Sequence, residues 1–314
     1  MYASGHLHLA GMALEFHYQD WEVVLVTGKA NAAPKLLACV LALIVAISVL
    51  AGCSSQSKNA NVILATTTSV QDSGLLDVLV PLFEQKTGYK VKTIALGSGA
   101  AIAMGEKGEA DALLVHSPAA EQKLVDAKIV MNYKLLMHND YVIVGPAKDP
   151  AAIRRVKSPS EAVKKVAAAG AGFVSRSDES GTHTKEKQLW TAAGTTPDGQ
   201  WYIRAGAGMG QTLMIASEKG AYTLTDRATY LAQKKNISLD ILVEGDASLL
   251  NVYHVMQVNP EKFPRVNAAG AKAFVDFMVS ADTQKKIGEF KDKNGQLLFV
   301  PDAGKTVEQI SGGK

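Results

Sequence analysis

From Val62 to Phe290, apolar runs of strand length alternate with amphipathic runs of helix length, and few folds accept that order. Neighbouring parallel strands need a crossover of a dozen or more residues, usually a helix. The alternation therefore predicts an α/β chain with parallel sheets and crossover helices. Val62–Ala65, Val91–Leu96, Ala112–Val115 and Tyr141–Val144 read as strands. Gly74–Lys86, Ala100–Lys107 and Pro118–Asp126 read as helices, the last with proline in its first turn. On Gly74–Lys86, the residues Leu75, Leu76, Leu79, Leu82 and Phe83 share one face.

Gly145-Pro146 interrupts this pattern, and a second series begins. Helices are expected over Ser158–Ala169, Ser180–Ala193, Gly208–Lys219 and Asp226–Gln233, with strands at Gly172–Val174, Ala221–Leu224, Asp240–Val243 and Tyr253–Val258. Ala268–Val279 and Asp282–Phe290 close the chain as helices. Two comparable α/β lobes follow from this order. Residues 61–143 and 252–314 form the first, and 144–251 form the second, with a ligand cleft between them.

The segment ahead of the first strand has a different character. Leu36 to Leu50 is uninterrupted and apolar, preceded by Lys29 and Lys35 and followed by Ala51-Gly52-Cys53. A basic flank, about 7–15 apolar residues and small residues at a cleavage point make a secretory signal. The run is short of the roughly 20 residues that a spanning helix needs. Leu50–Cys53 resembles a lipobox, which makes Cys53 the expected lipidation site, residues 1–52 a removed leader and 53–60 a tether. Glu15, Asp20 and Glu22 do not suit a signal's basic start, so the expected start lies inside, near Met12 or Val26. The expected location is the extracytoplasmic face of the cell membrane. Cys39 leaves with the leader, so no disulfide, cysteine nucleophile or cysteine metal site is expected. With 33 basic and 30 acidic residues, the charge does not suggest a nucleic-acid surface.

Four segments occupy the same topological place, past the end of a strand and at the start of a helix. They are Thr66–Ser69, Gly97-Ser98-Gly99, His116-Ser117-Pro118 and Ser175–Thr182. Ligands of open α/β sheets gather there, and helix N-termini offer free N–H groups and partial positive charge to an anion. One such segment is an ordinary helix cap; four together suggest an oxyanion site. Arg176 supplies the charge: its guanidinium stays protonated and presents a planar fork of donors. Asp178 is placed to orient it. Apart from Asp72, Asp178 and Glu179 at the edges, these segments carry no carboxylate. A site made of donors suits an anion that carries no proton.

Longer motifs sharpen this. Ala65–Ser69, Asp111–His116, Ser175–His183, Ala221–Arg227, Gly208-Met209-Gly210 and Val243–Asp246 resemble those of the tungstate-binding (TupA-type) components of ABC importers, across residues 61–300. The resemblance implies a two-lobed type II periplasmic-binding-protein fold with the oxyanion at the hinge, an ABC permease as partner and a monomeric protein. It implies ligand-binding roles for Thr67, Thr68, Ser69, Ser98, Arg176, Ser180 and Thr182, with Gly181 between the last two, and for Ser117 and Thr225. The expected ligand is tungstate, with molybdate, sulfate or phosphate as alternatives, and an oxyanion-sensing lipoprotein as another role for the same site. No cofactor is expected.

An enzyme is the rival class. Gly97-Ser98-Gly99 is too short for a Gly-x-Ser-x-Gly nucleophile elbow. His116, His138, His183 and His254 lack metal-ligand spacing and read as surface or core residues, with His183 the one placed to touch an anion. No catalytic residue is expected.

Overall fold

A computed structural model describes residues 6–9, 12–15 and 61–311. The apolar run 36–50, the lipobox with Cys53 and the tether 54–60 lie outside the described residues. His6–Leu9 (β1) and Met12–Glu15 (β2) pair antiparallel by themselves.

The remaining described chain is one compact unit of mixed α/β structure. Its main sheet has eight strands, Asn61–Thr67 (β3), Lys90–Leu96 (β4), Ala112–Val115 (β5), Val130–Pro146 (β6), Thr223–Asp226 (β9), Leu239–Val243 (β10), Leu250–Val258 (β11) and Val300–Pro301 (β12). The order is β10-β6-β11-β5-β3-β4, with β9 and β12 also on β6. Phe173–Ser175 (β7) and Tyr202–Arg204 (β8) form a separate parallel pair.

The expectation of parallel sheets holds only in part. β3 pairs parallel with β4 and β5, but every partner of β6 is antiparallel, and so is β11 on β5. The chain passes from the first series to the second along β6 and returns along β11, and the two crossings lie side by side. The predicted strand at Tyr141–Val144 is the last part of the 17-residue β6, which ends at the Gly145-Pro146 break.

Helices were placed more accurately. Thr68–Asp72 (α1), Leu75–Thr87 (α2), Ser98–Glu106 (α3), Pro118–Asp126 (α4), Pro159–Ala168 (α5), Gly181–Ala192 (α6), Met209–Lys219 (α7), Arg227–Gln233 (α8), Ala268–Met278 (α9) and Ala281–Glu289 (α10) occupy the crossovers and the C-terminal stretch. The five-residue α1 was not foreseen. It is capped by the Thr67 side chain and ends before Gly74, whose φ of 79° starts α2 afresh. On α2, Leu75, Leu76, Leu79 and Phe83 are buried as expected, whereas Leu82 is 37 % exposed at the edge of that face.

Buried apolar side chains form four clusters. Two draw mainly on residues 64–137 and 253–299, joined by Ala228, and two on residues 141–249, so the clusters fall into two groups. Among the described residues no helix is long and apolar enough to cross a membrane.

Candidate functional site

Arg176 follows the end of β7 and is the largest side chain buried to below 2 % exposure. A guanidinium at that depth needs partners. Nη2 donates to Thr68 Oγ1 at 3.1 Å and contacts the Asp178 carboxylate, and Nε donates to the Ala207 carbonyl at 3.4 Å. Nη1 has no partner. The fork foreseen from the sequence therefore faces the protein on one side, and only Nη1 remains for a ligand. The loop that carries it is strained, with Ser177 and Glu179 at φ of 46° and 55°. Non-glycine residues rarely adopt this conformation, and such strain clusters at functional sites.

The four segments meet around this group. Thr68 reaches it from β3–α1. The amide of Gly181, at the start of α6, donates to Ser98 Oγ at 3.0 Å, which joins α3 to α6. A Cβ on Gly181 would lie 3.0 Å from both the His116 carbonyl and Ser117 Oγ, so the absence of a side chain lets α6 approach α4. Ser117 is half-buried, and its amide is held by the buried Glu121.

Hydrogen-bond direction shows what these hydroxyls offer. A hydroxyl has one proton and two lone pairs. Thr68 Oγ1 accepts from Arg176 and, at 3.5 Å, from the Met209 amide, so its proton is left to give. Ser98 accepts from Gly181, and Ser180 accepts from the His183 amide at 3.2 Å. Thr182 Oγ1 is buried without a partner, facing the Tyr141 hydroxyl outside hydrogen-bond geometry. Three buried side-chain polar atoms among the described residues lack a partner. Two are Arg176 Nη1 and Thr182 Oγ1; the third, His254 Nδ1, lies 2.8 Å from Glu121 but poorly aligned. Buried polar groups in folded proteins are otherwise nearly always paired.

Other predicted residues are turned inward. Thr67 Oγ1 and Ser69 Oγ are 3.1 Å apart, and Ser69 Oγ lies 3.2 Å from His116 Nε2. His116 Nδ1 lies 2.8 Å from Asn251 Oδ1, because the Asn251 amide nitrogen donates to Asn139 and Tyr253. That arrangement assigns the proton to Nδ1, so Ser69 donates to Nε2 and Thr67 donates to Ser69. Thr225 donates to the Asp226 carbonyl at 3.1 Å. His183 Nδ1 accepts from the Glu179 amide, which commits it to its own loop.

The carboxylates are likewise occupied. Asp178 takes Arg176 on Oδ2 and the Ser180 amide on Oδ1. Asp226 caps α8 through Thr229 and accepts from Asn139, and burial raises its pKa. Asp72 accepts from the Gly210 amide at 3.0 Å, and burial raises its pKa too. Arg227, in one of the quoted motifs, is held by Asp140 and Glu244 and takes no part.

The network His116–Asn251–Asn139–Asp226 was not foreseen. Burial lowers the His116 pKa to about 4, against an ordinary 6.5. Unfolded chains take up a proton near pH 6.5 and the folded chain does not, so this contribution to stability is complete above pH 6.5 and is lost as pH falls towards 4. At about 1.4 kcal/mol per unit, we expect a loss of roughly 2–3 kcal/mol between pH 7.5 and pH 4.5. Urea unfolding of the wild type and of His116→Gln at both values measures it. An equal acid loss in the variant would rule out His116 as the source.

A cavity of about 390 Å³ opens beside the site, lined by His116, Ser117, Tyr141, Gly181, Lys185 and Asn251 among others. A second of the same volume, near His138, Arg227 and Phe299, shares none of the site's donors. No group of side chains fit to hold a metal ion occurs among the described residues.

Residues 54–282 match the family model described as a PBP superfamily domain. The chain is 45 % identical over 285 residues to the tungstate-binding protein TupA of Peptoclostridium acidaminophilum, covering 86 % of this chain and 99 % of that one. A solved structure, that of the tungstate ABC transporter from Geobacter sulfurreducens, is 47 % identical, with a TM-score of 0.67 over 73 % of this chain and 98 % of that one. The tungstate-binding protein TupA from Desulfovibrio alaskensis G20 is 45 % identical, with a TM-score of 0.65 over 77 % and 99 %.

Proposed function

This chain belongs to the PBP superfamily and, within it, to the family of the tungstate-binding proteins TupA, and on that premise we propose that it captures tungstate outside the cytoplasmic membrane for import by an ABC permease. It is a binding protein, not an enzyme. Arg176, Thr68, Ser98, Ser117, Ser180, Gly181 and Thr182 surround the anion, with Thr67, Ser69 and Thr225 behind them holding the strand ends in place. The observation that carries this reading is the pair of buried, unpartnered donors, Arg176 Nη1 and Thr182 Oγ1, set among hydroxyls whose lone pairs already accept from the protein. A tetrahedral dianion supplies acceptors on all sides and satisfies every one of them. Residues 61–143 with 252–314, and 144–251, act as two lobes that close on it, and the separate cores of the two halves support that division. Titration calorimetry with tungstate, molybdate, sulfate and phosphate tests the reading; heats from none of the four would overturn it. Molybdate is the second ligand, because it presents the same oxygens to the same donors.

The protein acts as a monomer tethered by a lipid on Cys53. The expected result is a diacylglyceryl mass on Cys53 and membrane partitioning, both lost in Cys53→Ser. A Cys53→Ser protein that stays with the membrane would leave an uncleaved apolar helix as the anchor.

A further inference from the structure

The motif Gly208-Met209-Gly210 contributes no side chain to the oxyanion site, yet it opens α7. Helix starts leave several amides without an intrahelical partner, and the N-cap here, Gly208, has no side chain to accept from them. Acceptors come instead from α1, far away in sequence. Met209 N donates to Thr68 Oγ1 at 3.5 Å and Gly210 N to Asp72 Oδ2 at 3.0 Å, across 141 and 138 residues. One helix is thus capped by another from the opposite half of the molecule. The same Thr68 oxygen accepts from Arg176, and the Arg176 Nε bonds the Ala207 carbonyl just before α7. Ligand-binding guanidinium, α1 and α7 are therefore one connected unit.

We infer that Asp72 is a positioning residue that latches the two halves: its carboxylate caps α7 only while they are together, and so sets how slowly the anion leaves. This rests on the proposed capture of an oxyanion between two lobes. Gly210 is part of the device, since a Cβ there would lie 3.0 Å from Asp72 Oδ2. The position is helical and otherwise favours alanine, which leaves room for Asp72 as the reason for glycine. A bond made only on closing adds nothing to encounter, so it acts on dissociation.

Stopped-flow kinetics with tungstate separate the two rates. Asp72→Ala should raise the dissociation rate about tenfold and leave the association rate within twofold. Asp72→Asn keeps an acceptor for the Gly210 amide and should return dissociation to within threefold of the wild type. Gly210→Ala should speed release in the wild type and add nothing in Asp72→Ala, the non-additivity expected of a contacting pair. Amide hydrogen exchange at Gly210 gives a readout that needs no ligand, and the wild type should exchange more slowly than Asp72→Ala. Should the wild type bind no tungstate, capture fails as a function while the exchange comparison still decides whether the cap exists. Dissociation from Asp72→Ala within threefold of the wild type, Asp72→Asn as fast as Asp72→Ala, or equal exchange at Gly210 would each overturn the latch.

Discussion

Arg176→Ala should lower tungstate affinity at least a hundredfold, the largest loss from any single truncation in this protein. A hydrogen bond to a charged group contributes about 1.5–3 kcal/mol, and Nη1 can give two of them to one anion. Two tenfold steps correspond to about 2.7 kcal/mol, so the loss of both bonds already reaches the stated bound. Truncation also strips Thr68, Asp178 and Ala207 of a shared donor, and it leaves a carboxylate beside a dianion. Arg176→Lys keeps the charge but offers a single point of donors, which cannot hold three protein oxygens and the ligand together. At least a tenfold loss is expected there. Calorimetric titration of both variants, with thermal melts to confirm that each is folded, decides the matter. Affinity within threefold of the wild type in either variant would remove Arg176 from contact with the anion.

Hydrogen phosphate should bind at least a thousandfold more weakly than tungstate, despite an equal charge near neutral pH. Its one proton needs an acceptor, and the site turns no free carboxylate towards it. Thr68, Ser98 and Ser180 already accept from N–H groups and have protons to give. The three neighbouring carboxylates face protein donors: Asp178 the Arg176 side chain and Ser180 amide, Asp72 the Gly210 amide, and Asp226 Thr229 and Asn139. An unmatched buried polar group costs about 1–3 kcal/mol, and sites built on matched hydrogen bonds discriminate by factors of about 10⁴. Competition titrations at pH 8, where most of the phosphate is the dianion, give the ratio directly. A ratio below ten would mean that one carboxylate turns from its protein donor to the ligand.

Much of this site could be read along the chain, because each contributing segment is local. A hydroxyl- and glycine-rich turn between a strand and an amphipathic run shows itself in a few consecutive residues, as Thr66–Ser69 and Ser175–Thr182 do. What binds those turns to one another could not be read in that way. His116 meets Asn251 across 135 residues, and Asn139 meets Asp226 across 87. Buried polar pairs of that kind have no periodicity. The direction of each hydrogen bond was equally hidden, and it separates Thr68 and Ser98, which have protons to give, from Thr67 and Ser69, which have used theirs. The long strand β6 escaped for a related reason. It pairs with β11 over its first part and with β9 and β10 over its last, so its burial follows no single alternation. From the sequence, only Tyr141–Val144 reads as strand.

The place of Leu250–Val258 between Ala112–Val115 and Val130–Pro146 governs the order in which the molecule can be assembled. Residues 144–249 are continuous and can collapse as soon as they are all available. The other half cannot: until residue 258 arrives, its central strand has an open edge. For a polypeptide supplied from its N-terminus at about 5–20 residues per second, that edge stays bare for something on the order of ten seconds. Such edges invite pairing with other chains, and long-range strand insertion is slow. Substitutions in Leu250–Val258 should therefore reduce the yield of soluble protein more than they alter the affinity of the molecules that complete the sheet.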